Sequence, residues 1–173
     1  MGSEYATSTV ESPLGLLRLA ATPEGLLRIA LPRQAGQGFA GAVGQMLPSA
    51  EHIDWLPVLD KARQQLDEYF RGQRREFTLP LDLRGTSFQL RVWSALREIP
   101  FGSTVSYSQL AHTIGHERAF RAVGAANGAN PVPIVVPCHR VIAASGKLGG
   151  YAGGLDAKRR LLALAKSLAP DLV

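Results

Sequence analysis

Two short apolar runs, 14–20 and 26–31, are separated by Thr22-Pro23-Glu24-Gly25, whose Pro and Gly favour a reversal of the chain. The pattern predicts a β-hairpin. Residues 34–50 are rich in Gly, Ala and Gln and read as a mobile loop. From Leu56 to Arg71 the positions Leu59, Ala62, Leu66 and Tyr69/Phe70 fall on one face of a helix, and Gly72 ends it. The segment 77–83 alternates, as a strand returning to the sheet or a linker leading out of it would.

A second set of elements begins at Thr86, which with Gln89 forms a candidate capping box ahead of Phe88, Val92, Trp93, Leu96 and Ile99 on one helical face. Pro100-Phe101-Gly102 stops that helix. Ser106 with Gln109 repeats the capping pattern and opens a short helix through Leu110, Ala111 and Ile114 to Gly115. A third helix is expected over about 119–127. Two short helices joined by a tight turn containing glycine form a candidate helix-turn-helix, with Arg118 and Arg121 at i, i+3 positioned to face a phosphate backbone or a groove. Then come Asn130-Pro131-Val132-Pro133, the β-branched run Ile134-Val135-Val136, and Pro137-Cys138-His139-Arg140-Val141-Ile142. Pro137 restricts Val136 to extended geometry. A Gly-rich stretch from Gly146 to Gly154 surrounds Tyr151, and Asp156 is a candidate cap for a last helix with Leu161, Leu162, Ala165 and Leu168 inward.

Charge divides the chain at the same place. Residues 1–85 hold nine Lys/Arg against ten Asp/Glu, whereas residues 86–173 hold ten against four, so the second half carries the whole basic excess of a chain with net charge +5. That is the balance of a polyanion-binding module, and also of many solvated basic surfaces. With the patterns above it places a domain boundary near Leu83–Thr86, giving domains 1–84 and 85–173. At 173 residues, 46% hydrophobic and 19% charged, the composition is that of ordinary globular material. No apolar run approaches the roughly 20 residues of a membrane span. The first residues have neither the basic start nor the apolar stretch of a signal peptide, so a cytoplasmic, nucleoid-associated location is expected.

The single cysteine excludes an internal disulfide and a multi-thiolate metal site. A lone cysteine is most often inert core filler. Here it is followed by His139 and Arg140. A free thiol, with a pKa of about 8.5, needs help to attack carbon, and an adjacent imidazole and a basic surrounding are two forms of help. On an extended segment, adjacent side chains point to opposite faces, so a direct Cys–His contact requires a kink or a bridging water.

The longer pattern is more specific. Arg121-Ala122-Val123-Gly124, Asn130-Pro131, Ile134 through Ile142, and Gly149-Gly150-Tyr151 with Gly153-Gly154-Leu155 and Lys158 together resemble the O6-alkylguanine-DNA alkyltransferases, the methylated-DNA–protein-cysteine methyltransferases. Upstream, Phe88, Val92-Trp93, Leu96, Ile99-Pro100, Gly102 and Ser106-Tyr107 are also similar to that family, and the likeness runs almost without gaps over residues 86–164. The resemblance implies an α/β (α+β) chain: a small N-terminal RNase H-like sheet and helix domain, then a mainly helical C-terminal domain with a helix-turn-helix. It implies repair of double-stranded DNA containing O6-alkylguanine, in which the damaged nucleotide is flipped out because a thiol cannot reach its O6 substituent in the stack. Cys138 then takes the alkyl group irreversibly.

Residue by residue, Cys138 resembles the alkyl acceptor and His139 the base acting on it through a water, with Asn130 bracing the site. Tyr107 resembles the tyrosine that turns the nucleotide's phosphate and donates a proton to departing guanine. Arg121 resembles the finger that occupies the vacated base position, with Ser106, Arg118 and Phe120 as further DNA contacts. Phe120 stands where smaller residues are common; packing against the first helix of the motif is its expected role, and wedging against the DNA is the alternative. The carbonyls of Cys138 and Val141 resemble acceptors for the guanine amine, the Ala152 amide the donor to O6, and Pro133 and Tyr151 the walls of the alkyl pocket. Lys158 matches a position near that pocket, though a solvated helix lysine is an equal reading. No metal and no small-molecule cofactor are implied, and a monomer is expected, with side-by-side binding on DNA left open.

One departure stands out. Most members follow the two leucines of this last helix with a glutamate that orients the histidine, whereas here the position holds Ala165. Losing an orienting carboxylate leaves the imidazole tautomer less fixed, so a slower reaction is expected. That keeps open the alternative of a non-catalytic lesion-binding or regulatory DNA protein. A Cys-His hydrolase is the other alternative, and it gives no reason for a basic helix-turn-helix.

Overall fold

The computed structural model describes residues 3–35 and 38–168 of the chain. The chain divides into two compact units, Met1–Arg84 and Gly85–Val173. The first is a sheet with helices and the second is mainly helical, as the fold class required.

The first unit is built on strands β1 (Glu4–Ser12), β2 (Gly15–Thr22), β3 (Gly25–Ala30) and β4 (Glu51–His52), in the order β3-β2-β1-β4. The predicted hairpin is β2–β3, closed at Thr22↔Gly25, with a register shift at Ala20/Ala21. Strand β1 lies antiparallel to β2 and parallel to β4. Helix α3 (Pro57–Phe70) packs on β1, β2 and β3 through Leu59, Ala62, Leu66 and Tyr69, the face its spacing predicts. Its buried Gln65 donates to the Thr78 hydroxyl at 2.7 Å and accepts from the Thr78 amide at 2.9 Å. That pair fixes the start of 77–83, which does return to the sheet: the Leu26 amide donates to the Pro80 carbonyl and the Asp82 amide to the Leu26 carbonyl, both at 2.9 Å. Gly25 permits this approach, since a Cβ there would lie 2.5 Å from the Pro80 oxygen.

Residues 34–50 are not a plain loop. They contain the end of α1 (Pro32–Ala35) and all of α2 (Phe39–Met46). Phe39, Val43 and Leu47, four apart, pack on Ala20, Leu27 and Ala30 of the sheet, so three anchors at helical spacing outweigh the poor helix propensity of the glycines around them.

The second unit comprises α4 (Ser87–Arg97), α5 (Tyr107–Thr113), α6 (Phe120–Gly128), α7 (Leu155–Leu168), and the two-residue strands β5 (Val105–Ser106) and β6 (Val141–Ile142), paired in parallel. Both predicted capping boxes form. The Thr86 hydroxyl accepts from the Gln89 amide at 3.1 Å while the Gln89 side chain accepts from the Thr86 amide at 2.9 Å; Ser106 and Gln109 repeat this at 3.1 and 2.8 Å. Helices α4, α5 and α6 pack on one another, and the Trp93 indole, buried from α4, donates to the Ala126 carbonyl at 2.9 Å. Arg118 lies in the turn before α6 and not on the helix. Asp156 is inside the first turn of α7, paired with Arg159 at 3.0 Å, and does not cap it. On α7, Leu161 and Ala165 are buried and Leu162 half-buried; the Leu168 side chain lies outside the described residues. No helix among the described residues is long and apolar enough to cross a membrane.

Candidate active site

Cys138 opens a 3₁₀ turn, Cys138–Arg140, entered from Pro137 and leading directly into β6. The segment is therefore kinked at the cysteine and not extended. The turn is held by the Cys138 amide on the Val136 carbonyl at 2.8 Å and the Arg140 amide on the Pro137 carbonyl at 3.0 Å. Asn130 clamps the approach: its amide nitrogen donates to the Val136 carbonyl at 2.8 Å and its oxygen accepts from the Val132 amide at 3.0 Å. Within that clamp Ile134 adopts φ 76°, a left-handed conformation that a β-branched residue takes only under constraint. The strain sits four residues before the thiol.

The parallel β5–β6 pairing places Tyr107. Val105 pairs with Val141 and Ser106 with Ile142, so the residue after β5 stands level with Ala143, the residue after β6, and its phenol lies near enough to Cys138 to feel that group's charge. The Gly-rich segment closes over the Tyr107 ring: at Gly149, φ +71°, a Cβ would lie 3.2 Å from the ring edge and 3.3 Å from the hydroxyl. Burial, and then the charge of an ionised Cys138, push the Tyr107 phenol upward from its ordinary value, so it remains a proton donor at neutral pH.

Lys158, in the first half of α7, is the largest departure from a bland reading. It is 0% exposed. Its ammonium donates to three carbonyls, Val141 at 2.7 Å, Leu148 at 2.5 Å and Gly150 at 3.1 Å. A buried cation needs such partners to offset its desolvation, and here they come from β6 and the Gly-rich segment. The solvated-lysine alternative is thereby excluded.

The environment of the sulfur works in two directions. Burial pushes the Cys138 thiol up, while the Asn130 and Tyr151 side chains within hydrogen-bonding reach, the Lys158 charge and its own backbone amide pull it down. Burial dominates, so the resting group is a thiol. His139 is 0% exposed, and burial together with the charges of Arg140 and Lys158 holds its imidazole well below the usual range, hence neutral. Neither ring nitrogen has a hydrogen-bond partner among the described residues. Arg140 is occupied elsewhere: it donates to the Ile99 carbonyl at 2.7 Å and lies over the Phe101 ring at 5.6 Å.

Of the remaining expected positions, Pro133 and Val141 are buried, Tyr151 is half-buried and Ala152 is exposed. The Val141 carbonyl already accepts from Lys158, and the Cys138 carbonyl from the Asn127 amide at 3.4 Å. Asn127 was not singled out from the sequence. Its signal is a polar residue on the inward face of α6 beside Val123 and Ala126, all three buried. The Ser106 hydroxyl serves as the cap of α5. Arg118, Phe120 and Arg121 are exposed, so Phe120 is not packed away as expected. No cluster of three or more His, Cys, Asp or Glu suited to a metal ion occurs among the described residues.

This geometry coincides with matches to two family models that together span most of the chain: residues 5–83 match "6-O-methylguanine DNA methyltransferase, ribonuclease-like domain", and residues 87–167 match "6-O-methylguanine DNA methyltransferase, DNA binding domain". The chain belongs to the 6-O-methylguanine DNA methyltransferase family. Among relatives, it is 48% identical to a methylated-DNA–protein-cysteine methyltransferase of Mycobacterium bovis, over 94% of this chain and 93% of that one. It is 42% identical to the protein of the same name from Methanosarcina barkeri, over 91% and 95%. Among solved structures, Mycobacterium tuberculosis OGT in complex with DNA superposes with TM-score 0.80 at 45% identity, covering 98% of this chain and 96% of that one. Alanine stands at 165, where the resemblance implies a glutamate. That residue is 6% exposed, one turn beyond Leu161 on the buried face of α7, the helix that packs against the 138–140 turn.

Proposed function

We propose that this chain repairs O6-alkylguanine in duplex DNA by moving the alkyl group onto Cys138, once per molecule. The observation that carries the reading is the buried Cys138 thiol, held in a 3₁₀ turn within hydrogen-bonding reach of the Asn130 and Tyr151 side chains and close enough to the Tyr107 phenol and the Lys158 cation to interact electrostatically with both. Family membership supplies the class of reaction, and the residue roles are our assignment.

In this reading the nucleotide is flipped into the site, with Arg121 filling its place in the stack and Arg118 and Ser106 against the phosphates. Pro133 and Tyr151 flank the alkyl group, while the Ala152 amide and the free lone pairs of the Cys138 and Val141 carbonyls hold the base. The neutral His139 takes the thiol proton through a water. The sulfur lone pair forms the S–C bond as the C–O6 bond breaks, and its electrons pass to guanine, which takes a proton from Tyr107. The thioether has no leaving group to reverse it, so the protein is consumed. No cofactor is needed. We place this activity in the cytoplasm or nucleoid, carried out by a monomer.

The test is to incubate the protein with a duplex containing O6-methylguanine and measure intact mass. One methyl group on Cys138, saturating at one per protein, is the expected result. Binding with no change in mass supports the non-catalytic lesion binder instead.

A further inference from the structure

Resting on that reading of a duplex substrate, we propose that Phe120 is a wedge that enters the base stack beside Arg121, so that this chain opens DNA with two side chains. The first observation is exposure. Phe120 is the first residue of α6 and is 49% exposed, one of few large apolar side chains outside the core. A single exposed aromatic is unremarkable by itself, so its surroundings decide.

Helix α6 turns Val123, Ala126 and Asn127 inward. Its outward positions are Phe120, Arg121, Ala122, Ala125 and Gly128. Successive residues are about 100° apart on a helix, which puts Arg121 near the middle of the outward face and Phe120 at its edge. Beyond these two, every outward side chain is a methyl group or a hydrogen. The face is flat, and only Phe120 and Arg121 project far from it. Helical side chains lean toward the N-terminus, so both project past the start of the helix.

Gly128, the last residue of α6, leaves that end of the face unobstructed: a Cβ there would meet nothing within 4 Å. A face this flat suits a surface lying flush on the helix. Charge selects which surface: Arg118 and Arg121 flank the ring, and the second half of the chain carries the whole basic excess. A polyanion whose interior offers flat apolar faces satisfies the arginines and the phenyl ring together. Gly124, four residues after Phe120 and so on its side of the helix, has Tyr107 as the nearest neighbour of a hypothetical Cβ, at 3.9 Å. The ring therefore projects from the flank of α6 that leads to the site of transfer.

The test compares Phe120→Ala and Phe120→Trp with the parent on three substrates: a duplex containing O6-methylguanine, the same strand unpaired, and the free base O6-benzylguanine. Phe120→Ala is expected to slow transfer from limiting duplex about tenfold, equivalent to about 1.4 kcal/mol and within the range of one base–aromatic stack. Single strand and free base should react as with the parent, and Phe120→Trp should retain duplex activity. In parallel, the emission of 2-aminopurine placed next to the lesion should rise when the parent binds and rise less with Phe120→Ala. Equal duplex rates, or an equal loss on all three substrates, would overturn the wedge. The emission readout needs binding only, so it judges Phe120 even where no methyl group moves, and the mass of Cys138 judges the alkyl-acceptor reading separately.

Discussion

Lys158 and Val141 are joined by a 2.7 Å hydrogen bond from an ammonium with no exposure to solvent. The same ammonium reaches Leu148 and Gly150, so one charge ties the strand after the nucleophile to the segment that covers Tyr107. Replacing Lys158 with Met keeps most of the side-chain volume and removes the donor of three carbonyls, of which that of Val141 is buried and the other two lie at half-buried or exposed residues. Each unsatisfied group costs about 1–3 kcal/mol, and relaxation recovers part of the total. We expect Lys158→Met to lower unfolding stability in urea by about 2–4 kcal/mol. It should also slow alkylation of Cys138 by a haloacetamide at pH 8, because the cation that favours the thiolate is gone. Parental stability and parental thiol reactivity together would show that the three carbonyls do not depend on the ammonium.

Gly149 and Gly146 separate two effects usually confounded. Both have left-handed φ, +71° and +84°, but a Cβ at Gly146 meets open space whereas one at Gly149 meets the Tyr107 ring and hydroxyl at 3.2 and 3.3 Å. Alanine at either position should cost about 1–2 kcal/mol of stability through the backbone alone. Only Gly149→Ala should slow methyl transfer from saturating duplex, since it displaces the Tyr107 hydroxyl. If Gly146→Ala slows transfer equally, the Gly-rich segment acts through its general conformation and not through contact with Tyr107.

Much of the second unit was legible because its signals are local. The Thr86–Gln89 and Ser106–Gln109 boxes need only side chains three residues apart, and each sits at a helix start as read. Strand β1 carried no such signal. Of its nine residues only Ala6 is buried, and its place between β2 and β4 comes from backbone pairing to segments far away in the chain. Helix α2 was hidden by its glycines, since the apolar anchors Phe39, Val43 and Leu47 acquire meaning only when a sheet is there to receive them. At the candidate site the motif was visible but its electrostatics were not. Lys158 is buried because three carbonyls from two separate segments converge on it, and Arg140 is drawn off to Ile99, in the bend that follows α4. Neither can be read from residue types in a row.

His139 makes stability depend on acid. Its folded pKa lies well below the ordinary value because of burial first and the neighbouring cations second. In the unfolded chain it titrates near 6.5. Above that pH both states hold a neutral imidazole and the full contribution is present. As pH falls below 6.5 the unfolded state gains a proton that the folded state refuses, and stability declines by about 1.4 kcal/mol per pH unit until the folded group titrates. Urea unfolding between pH 7 and pH 5 should show this slope, and His139→Gln should remove about one proton's worth of it. An identical slope in the variant would assign the acid sensitivity to other groups.

Ala165 stands where the resemblance implies a glutamate, and the buried face of α7 allows that difference to be tested. Lys158, Leu161 and Ala165 recur at helical spacing and all are buried, on the helix that packs against the 138–140 turn. A glutamate at 165 enters that face with a carboxylate that has to find a donor, and His139 offers two ring nitrogens without partners among the described residues. Pairing one of them fixes the tautomer and makes the other a better proton acceptor. We expect Ala165→Glu to speed methyl transfer about tenfold or more, toward the range of a positioned general base. Ala165→Gln, of equal size and without charge, should gain little. The same carboxylate raises the His139 pKa toward its ordinary value, so the loss of stability between pH 7 and pH 5 should become shallower in Ala165→Glu alone. A faster rate with an unchanged acid slope would mean that the glutamate acts somewhere other than on His139. No gain in rate would mean that this chain activates Cys138 without an orienting carboxylate, leaving Lys158 as the charge nearest to the task.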